Sequence, residues 1–144
     1  MKTTGNPASS PRAVIDALVK ATNDHDLDAL VGCFAPDYVN ETPMHPLRSF
    51  TGSEQVRGNW AQIFAVVSDL VAEVIGWAED SETVWTEWAM SGTRRDGTVH
   101  QMAGVVIFTV REGLITSARF YLEPVETSSG DVKEAVREQM AGRS

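Results

Sequence analysis

A chain of 144 residues is the size of one ordinary domain, long enough to bury a core and too short for a comfortable second one. A hydrophobic fraction of 42% and a charged fraction of 22% are globular values, which argue against a disordered or membrane-spanning class. With 20 acidic against 12 basic side chains the net charge is -8, so the chain repels polyphosphate and offers no basic patch, and nucleic acid is not an expected partner.

Cys33 is the sole cysteine, which removes intrachain disulfides and thiolate zinc clusters and fits a reducing, cytoplasmic setting. Residues 1–10 form a polar lead-in without the apolar core of a secretory signal, and no window approaches the roughly 18 apolar residues of a membrane span. One domain is expected over 11–126, followed by a tail at 127–144.

Ser10 and Pro11 have the chemistry of an N-cap and first helical position, and Ile15, Leu18, Val19 and Thr22 then recur at helical spacing. After a turn at 23–25, Asp26 caps a second helix whose stripe is Leu27, Leu30, Val31 and Phe34, with Pro36 ending it. Residues 38–41 read as a short strand. Thr51 and Glu54 are spaced as a capping box for a third helix carrying Val56, Trp60, Ile63, Phe64 and Val67 on one face.

From residue 70 the character changes. Segments 70–75, 83–90, 101–111 and 114–122 are rich in β-branched and aromatic residues and are separated by short turn-forming clusters. They predict a four-stranded antiparallel meander. Helices first and strands afterwards give an α+β fold, a curved antiparallel sheet covered by three N-terminal helices around one apolar pocket. In the tail, Val132, Ala135, Val136 and Met140 are spaced for a short helix.

The order of elements, the Phe34-Ala35-Pro36-Asp37-Tyr38 turn, Gly52 ahead of the third helix and Glu112-Gly113-Leu114-Ile115 before the last strand together resemble the SnoaL-like polyketide cyclases of the nuclear-transport-factor-like superfamily. The resemblance spans roughly residues 11–126 and implies a cone-shaped pocket roofed by helices. Family members include aldol cyclases, isomerases, dehydratases, epoxide hydrolases and non-catalytic binders. A narrower similarity is to limonene epoxide hydrolase: Tyr38 and Asn40 match its water-holding pair, and Arg119, Tyr121 and Glu123 resemble its last strand with Glu in place of Asp. Its central Arg and Asp correspond here to Trp88 and Met90, which leaves that triad incomplete. Ketosteroid isomerase places a Tyr donor in its first helix, where this chain has none. The SnoaL-type aldol cyclases rely on a carboxyl group near the end of the last strand, and Glu123 is the residue nearest that description.

Side chains alternate along a strand, so Arg119, Tyr121 and Glu123 share one face and Ala118, Phe120 and Leu122 the other. If the polar face points into the cone, Glu123 becomes a desolvated carboxylate able to exchange protons near neutrality, tuned by Arg119. The competing reading pairs Glu123 with Arg119 at the surface. Tyr38, Asn40 and Tyr121 are candidates to hold a water or a carbonyl, although Tyr38 also reads as a half-buried aromatic and Asn40 as a turn residue.

Trp60, Phe64, Trp88, Met90 and Met102 are the candidate pocket walls, suited to a flat apolar ligand. His45 lies in a loop that either caps the mouth or is simply exposed, while His25 and His100 read as solvated. With no HxH or HExxH spacing, neither metal nor cofactor is expected. Trp85 and Glu87 fall on the outer face of the sheet, where a homodimer would form. The leading expectation is a cofactor-free cyclase or isomerase acting on a hydrophobic ketide-like or terpenoid molecule of secondary metabolism. The alternatives are an epoxide hydrolase or epoxide-opening cyclase, and a hydrophobic-ligand binder without chemistry.

Overall fold

The computed structural model describes residues 9–127 and 130–142, so most of the polar lead-in lies outside it. Helix α1 (Pro11–Asp24) starts where the Ser10 hydroxyl accepts from the Ala13 amide and ends at His25, which takes the left-handed conformation at φ 55°. Helix α2 (Leu27–Val31) is capped by the Asp26 carboxylate on the Ala29 amide. Ile15, Leu18, Leu30 and Val31 bury the facing stripes of these two helices.

Phe34 is not on the α2 stripe, as the spacing suggested, but opens strand β1 (Phe34–Glu41). The helix is already over at Val31, because Gly32 closes it two residues before Phe34. Pro36, a residue barred from a central ladder, sits in a stretch where β1 loses register with its neighbour between Phe34 and Val39. A two-residue strand β2 (Phe50–Thr51) then pairs antiparallel with Val39 and Asn40.

Thr51 therefore belongs to a strand, and the capping box is a correction: the N-cap of helix α3 (Ser53–Val66) is Gly52 at φ 103°, with no side-chain cap. Of the α3 residues only Val56 is buried outright. Trp60 and Ile63 on the same stripe are only half-buried because they overhang a cavity and not a packed core.

Strands β3 (Val71–Asp80), β4 (Thr83–Thr93), β5 (Val99–Arg111) and β6 (Leu114–Pro124) form the expected antiparallel meander. Strand β3 runs five residues beyond the predicted end. A bulge between Val74 and Gly76 breaks its alternation and hides the continuation from a period-two reading. Trp77 thereby returns to the inner face, where the Arg12 guanidinium lies 4.3 Å from its ring.

The full order is β2-β1-β6-β5-β4-β3. One pairing departs from the expected all-antiparallel sheet: β1 runs parallel to β6, with Asn40 opposite Ala118. The long excursion through β2, helix α3 and strands β3, β4 and β5 lets β6 return beside β1 in either sense, which local pattern does not specify. Helices α1 and α3 close the concave side, and Val84, Trp88, Val106, Phe108 and Ile115 rise from the sheet to meet them.

Gly104, at φ 146°, has no room for a side chain against β6, since a β-carbon there would lie 2.1 Å from the Tyr121 carbonyl oxygen. Helix α4 (Val132–Met140), capped by Asp131, forms the expected tail helix, with Val132, Val136 and Met140 exposed. Among the described residues no helix is long and apolar enough to cross a membrane.

Candidate functional site

Between α3, the β1–β2 connection and the concave sheet lies a chamber of about 290 Å³. Alternation on the strands decides its walls: Met90 from β4, Met102 from β5, and Phe120 and Leu122 from β6 all point inward, while Trp60 and Ile63 descend from α3. An apolar recess of about 30 Å³ continues inward past Trp88, Val106 and Phe108. The indole N–H of Trp88 donates to Thr86 Oγ1 at 2.7 Å, and that hydroxyl donates to the Val106 carbonyl at 2.7 Å, so the deep polar atoms are spent on one another.

Three of the expected wall residues, Trp60, Met90 and Met102, therefore line the chamber, and Trp88 lines the recess. Phe64 lines neither. It stacks on His25 with centroids 4.7 Å apart and braces Trp60 from outside. His25 is correspondingly not a solvated surface group, because its Nε2 bonds the Leu70 carbonyl at 2.9 Å and ties the α1–α2 turn to the start of β3.

Two polar pairs enter this apolar space. Tyr38, 1% exposed, donates its hydroxyl to Asn40 Oδ1 at 2.7 Å. Burial raises the phenol far above its ordinary value, so Tyr38 remains a protonated donor and does not shuttle protons. With Oδ1 occupied, the Asn40 amide nitrogen has no acceptor among the described residues, and it faces the chamber. Tyr38 thus fixes the amide orientation and Asn40 presents the donors.

The second pair stands at the mouth. His45, from the loop between β1 and β2, brings Nε2 to 2.9 Å from Glu123 Oε1, their side chains 35% and 43% exposed. Of the two readings of His45, the structure realises the cap over the mouth. Glu123 lines the chamber as well, but at its rim, and the deep burial expected for it is absent.

The expected shared inward face of Arg119, Tyr121 and Glu123 is a correction. Ala118, Phe120 and Leu122 take the interior, and Arg119 is exposed on the outer side, donating to the Tyr121 hydroxyl at 3.0 Å. Hydrophobic burial chose the parity: three apolar side chains facing water would cost more than hydrating one guanidinium and one phenol. Glu123 escapes its parity because it is one residue from the strand end, where the wall stops and a side chain can curl over the rim.

His100 is a site residue that the sequence reading assigned to the surface. It lines the chamber, and desolvation together with the nearby Arg94 guanidinium lowers its pKa below the ordinary imidazole value. Its signal was its place opposite Gly92 on the β4–β5 ladder, at the helix-covered end of the sheet. Among the described residues no three His, Cys, Asp or Glu side chains gather as a metal site.

Residues 15–118 match the family model for the SnoaL-like domain. No curated protein gives a match. Among solved structures, IdmH of Streptomyces antibioticus, put forward as a polyketide cyclase, is 22% identical over 92% of this chain and 99% of its own, with a TM-score of 0.68. AclR of Streptomyces galilaeus, put forward as a hydroxylase, is 14% identical over 92% of each chain with a TM-score of 0.70. Rv0760c of Mycobacterium tuberculosis, in complex with estradiol-17beta-hemisuccinate, is 17% identical over 88% of this chain and 98% of its own, with a TM-score of 0.68.

Proposed function

The chain belongs to the SnoaL-like domain family, and from that premise we propose that it is a cofactor-free acid/base enzyme, a cyclase or isomerase acting on a hydrophobic ketide-like or terpenoid substrate. One observation carries this reading: a single apolar chamber is bordered by both a fixed amide donor, Asn40, and an imidazole–carboxylate pair, His45 and Glu123. The relatives that share the fold, among them one put forward as a polyketide cyclase and one holding a steroid ester, support the substrate class.

In this mechanism the Glu123 carboxylate, oriented by His45, removes a proton from the carbon beside a substrate carbonyl. Negative charge moves to the carbonyl oxygen, where the Asn40 N–H donates to it; because Tyr38 already fixes the amide, little reorganisation is needed as the charge grows. The enolate carbon then attacks a second carbonyl of the same substrate, forming a carbon–carbon bond, and the proton on Glu123 passes to the new alkoxide. In an isomerisation the proton returns to a different carbon. The walls contribute orientation and exclude water.

The half-exposed position of Glu123 favours a second reading, a receptacle that binds and releases its ligand unchanged. Exchange of the α-protons of β-tetralone in deuterated water, followed by NMR, separates the two. The enzyme reading expects catalysed exchange that falls about a hundredfold or more both in Glu123→Gln and in Asn40→Leu, the range for loss of a general base and of one oxyanion donor. Exchange no faster than in buffer leaves the receptacle. The proposal includes a homodimer over the outer sheet face, supported by the exposure of Trp85 (49%) and Val39 (41%). Sedimentation at micromolar concentration checks it, and a monomer there rejects it.

A further inference from the structure

The chamber does not end at its mouth. A second, open trough of about 430 Å³ runs between the C-terminal half of α3 and the β4–β5 hairpin, and Asn59, Ile63 and His100 line both spaces. His100 is therefore the post between an apolar room and an open trough whose Ile63, Val66 and Val67 side meets the polar groups of Asn59, Gln62 and Arg94. On the trough side stands Arg94, whose Nη1 donates to the Val99 carbonyl and, at 3.2 Å, to Thr98 Oγ1. Its Nη2 and Nε have no acceptor among the described residues. On the chamber side Arg48, from the turn Pro46–Arg48, lines the mouth with a guanidinium that likewise has no acceptor among the described residues.

The charges around these spaces are lopsided. The only carboxylate lining either space is Glu123, already engaged by His45, against two guanidinium groups outside any ion pair among the described residues. Asp96, the acid nearest Arg94 in the hairpin, spends Oδ1 on the amide and hydroxyl of Thr98. In a chain of net charge -8, two arginines without a direct ion pair flank the groove, although the nearby Asp96 carboxylate partly offsets the charge of Arg94, and they give the groove a local positive bias.

We propose that the trough is an anion subsite: the ligand is an elongated amphipath whose apolar rings fill the chamber and whose carboxylate end passes His100 to lie against Arg94, with Arg48 adding long-range attraction at the mouth. Planar guanidinium donors suit a carboxylate, and the free Nη2 and Nε of Arg94 form the edge that accepts one in bidentate fashion. His100, kept neutral by its surroundings, supplies a further N–H without adding charge. The volume points the same way: the chamber alone sits at the lower bound for pockets that enclose small organic ligands, so a longer one extends into the trough. This subsite rests on the reading of the chamber as a ligand site and specifies the ligand's other end.

Titration with naphthylbutanoic acid and with the neutral naphthylbutanol, followed by tryptophan quenching and calorimetry, tests it. Wild-type protein is expected to bind the acid about tenfold or more tightly than the alcohol, the effect of a charge-assisted contact at a partly solvated site. Arg94→Gln removes most of that preference and leaves the alcohol's affinity unchanged, and Arg94→Lys restores part of it. Equal binding of acid and alcohol, or a preference that survives Arg94→Gln, overturns the anion subsite while leaving the chamber standing. Binding of neither compound overturns the chamber reading and the subsite with it.

Discussion

The two faces of β6 are one residue apart in sequence and opposite in role. Ala118, Phe120 and Leu122 disappear into the chamber wall, whereas Arg119 and Tyr121 bond to each other on the far side. A polar-aromatic triplet with regular spacing looks like a constellation, yet regular spacing guarantees only a shared face. Which face turns inward is decided by the apolar members, because their burial is worth about 25 cal/mol for each Å² while the polar ones are content in water. Apart from His100, the functional polar groups enter this site where the wall is interrupted: Asn40 near the end of β1, Glu123 at the end of β6, and His45 and Arg48 in the loop between β1 and β2.

The largest effect expected from this contrast is on stability. Trp88→Ala removes a buried indole from the recess and orphans its bond to Thr86, and should cost about 3–5 kcal/mol in urea unfolding. A loss below about 1 kcal/mol would mean that the recess collapses freely and is not a rigid wall. Gly92→Ala should cost about 1–3 kcal/mol, because the new methyl would lie 2.4 Å from Val67 Cγ1 beneath the end of α3. On the outer face, Arg119→Ala should change both stability and proton exchange by less than about 0.5 kcal/mol. A large loss of exchange there would restore the inward orientation that the structure contradicts.

A separate expectation concerns alkaline pH. Burial raises the Cys33 thiol from 9.0 to about 11 and raises Tyr38 further. Between those values the unfolded chain has released the thiol proton and the folded chain still holds it, so stability is full below pH 9 and declines as the pH rises toward 11. Cys33→Ala should flatten this decline in denaturant titrations at successive pH values. An unchanged slope would assign the alkaline loss to other groups.

What the sequence made legible follows from the range of the forces involved. The meander was readable because its strands are neighbours joined by short turns, and the walls Trp60, Trp88, Met90 and Met102 because apolar periodicity reports burial directly. The parallel return of β1 beside β6 was not readable, since that pairing joins segments some eighty residues apart with no turn chemistry to set its sense. The His45–Glu123 bond bridges a loop and a strand end, where no periodicity operates. His100 occupies an ordinary strand position, and only the overhang of α3 converts it from a surface group to a post within the groove.

The most direct test pairs two readouts on one variant. In Glu123→Gln the exchange of β-tetralone α-protons should fall about a hundredfold while the affinity for naphthylbutanol is retained, which locates chemistry at the rim and binding in the walls. Exchange that persists in this variant, or affinity that is lost along with it, would contradict that division.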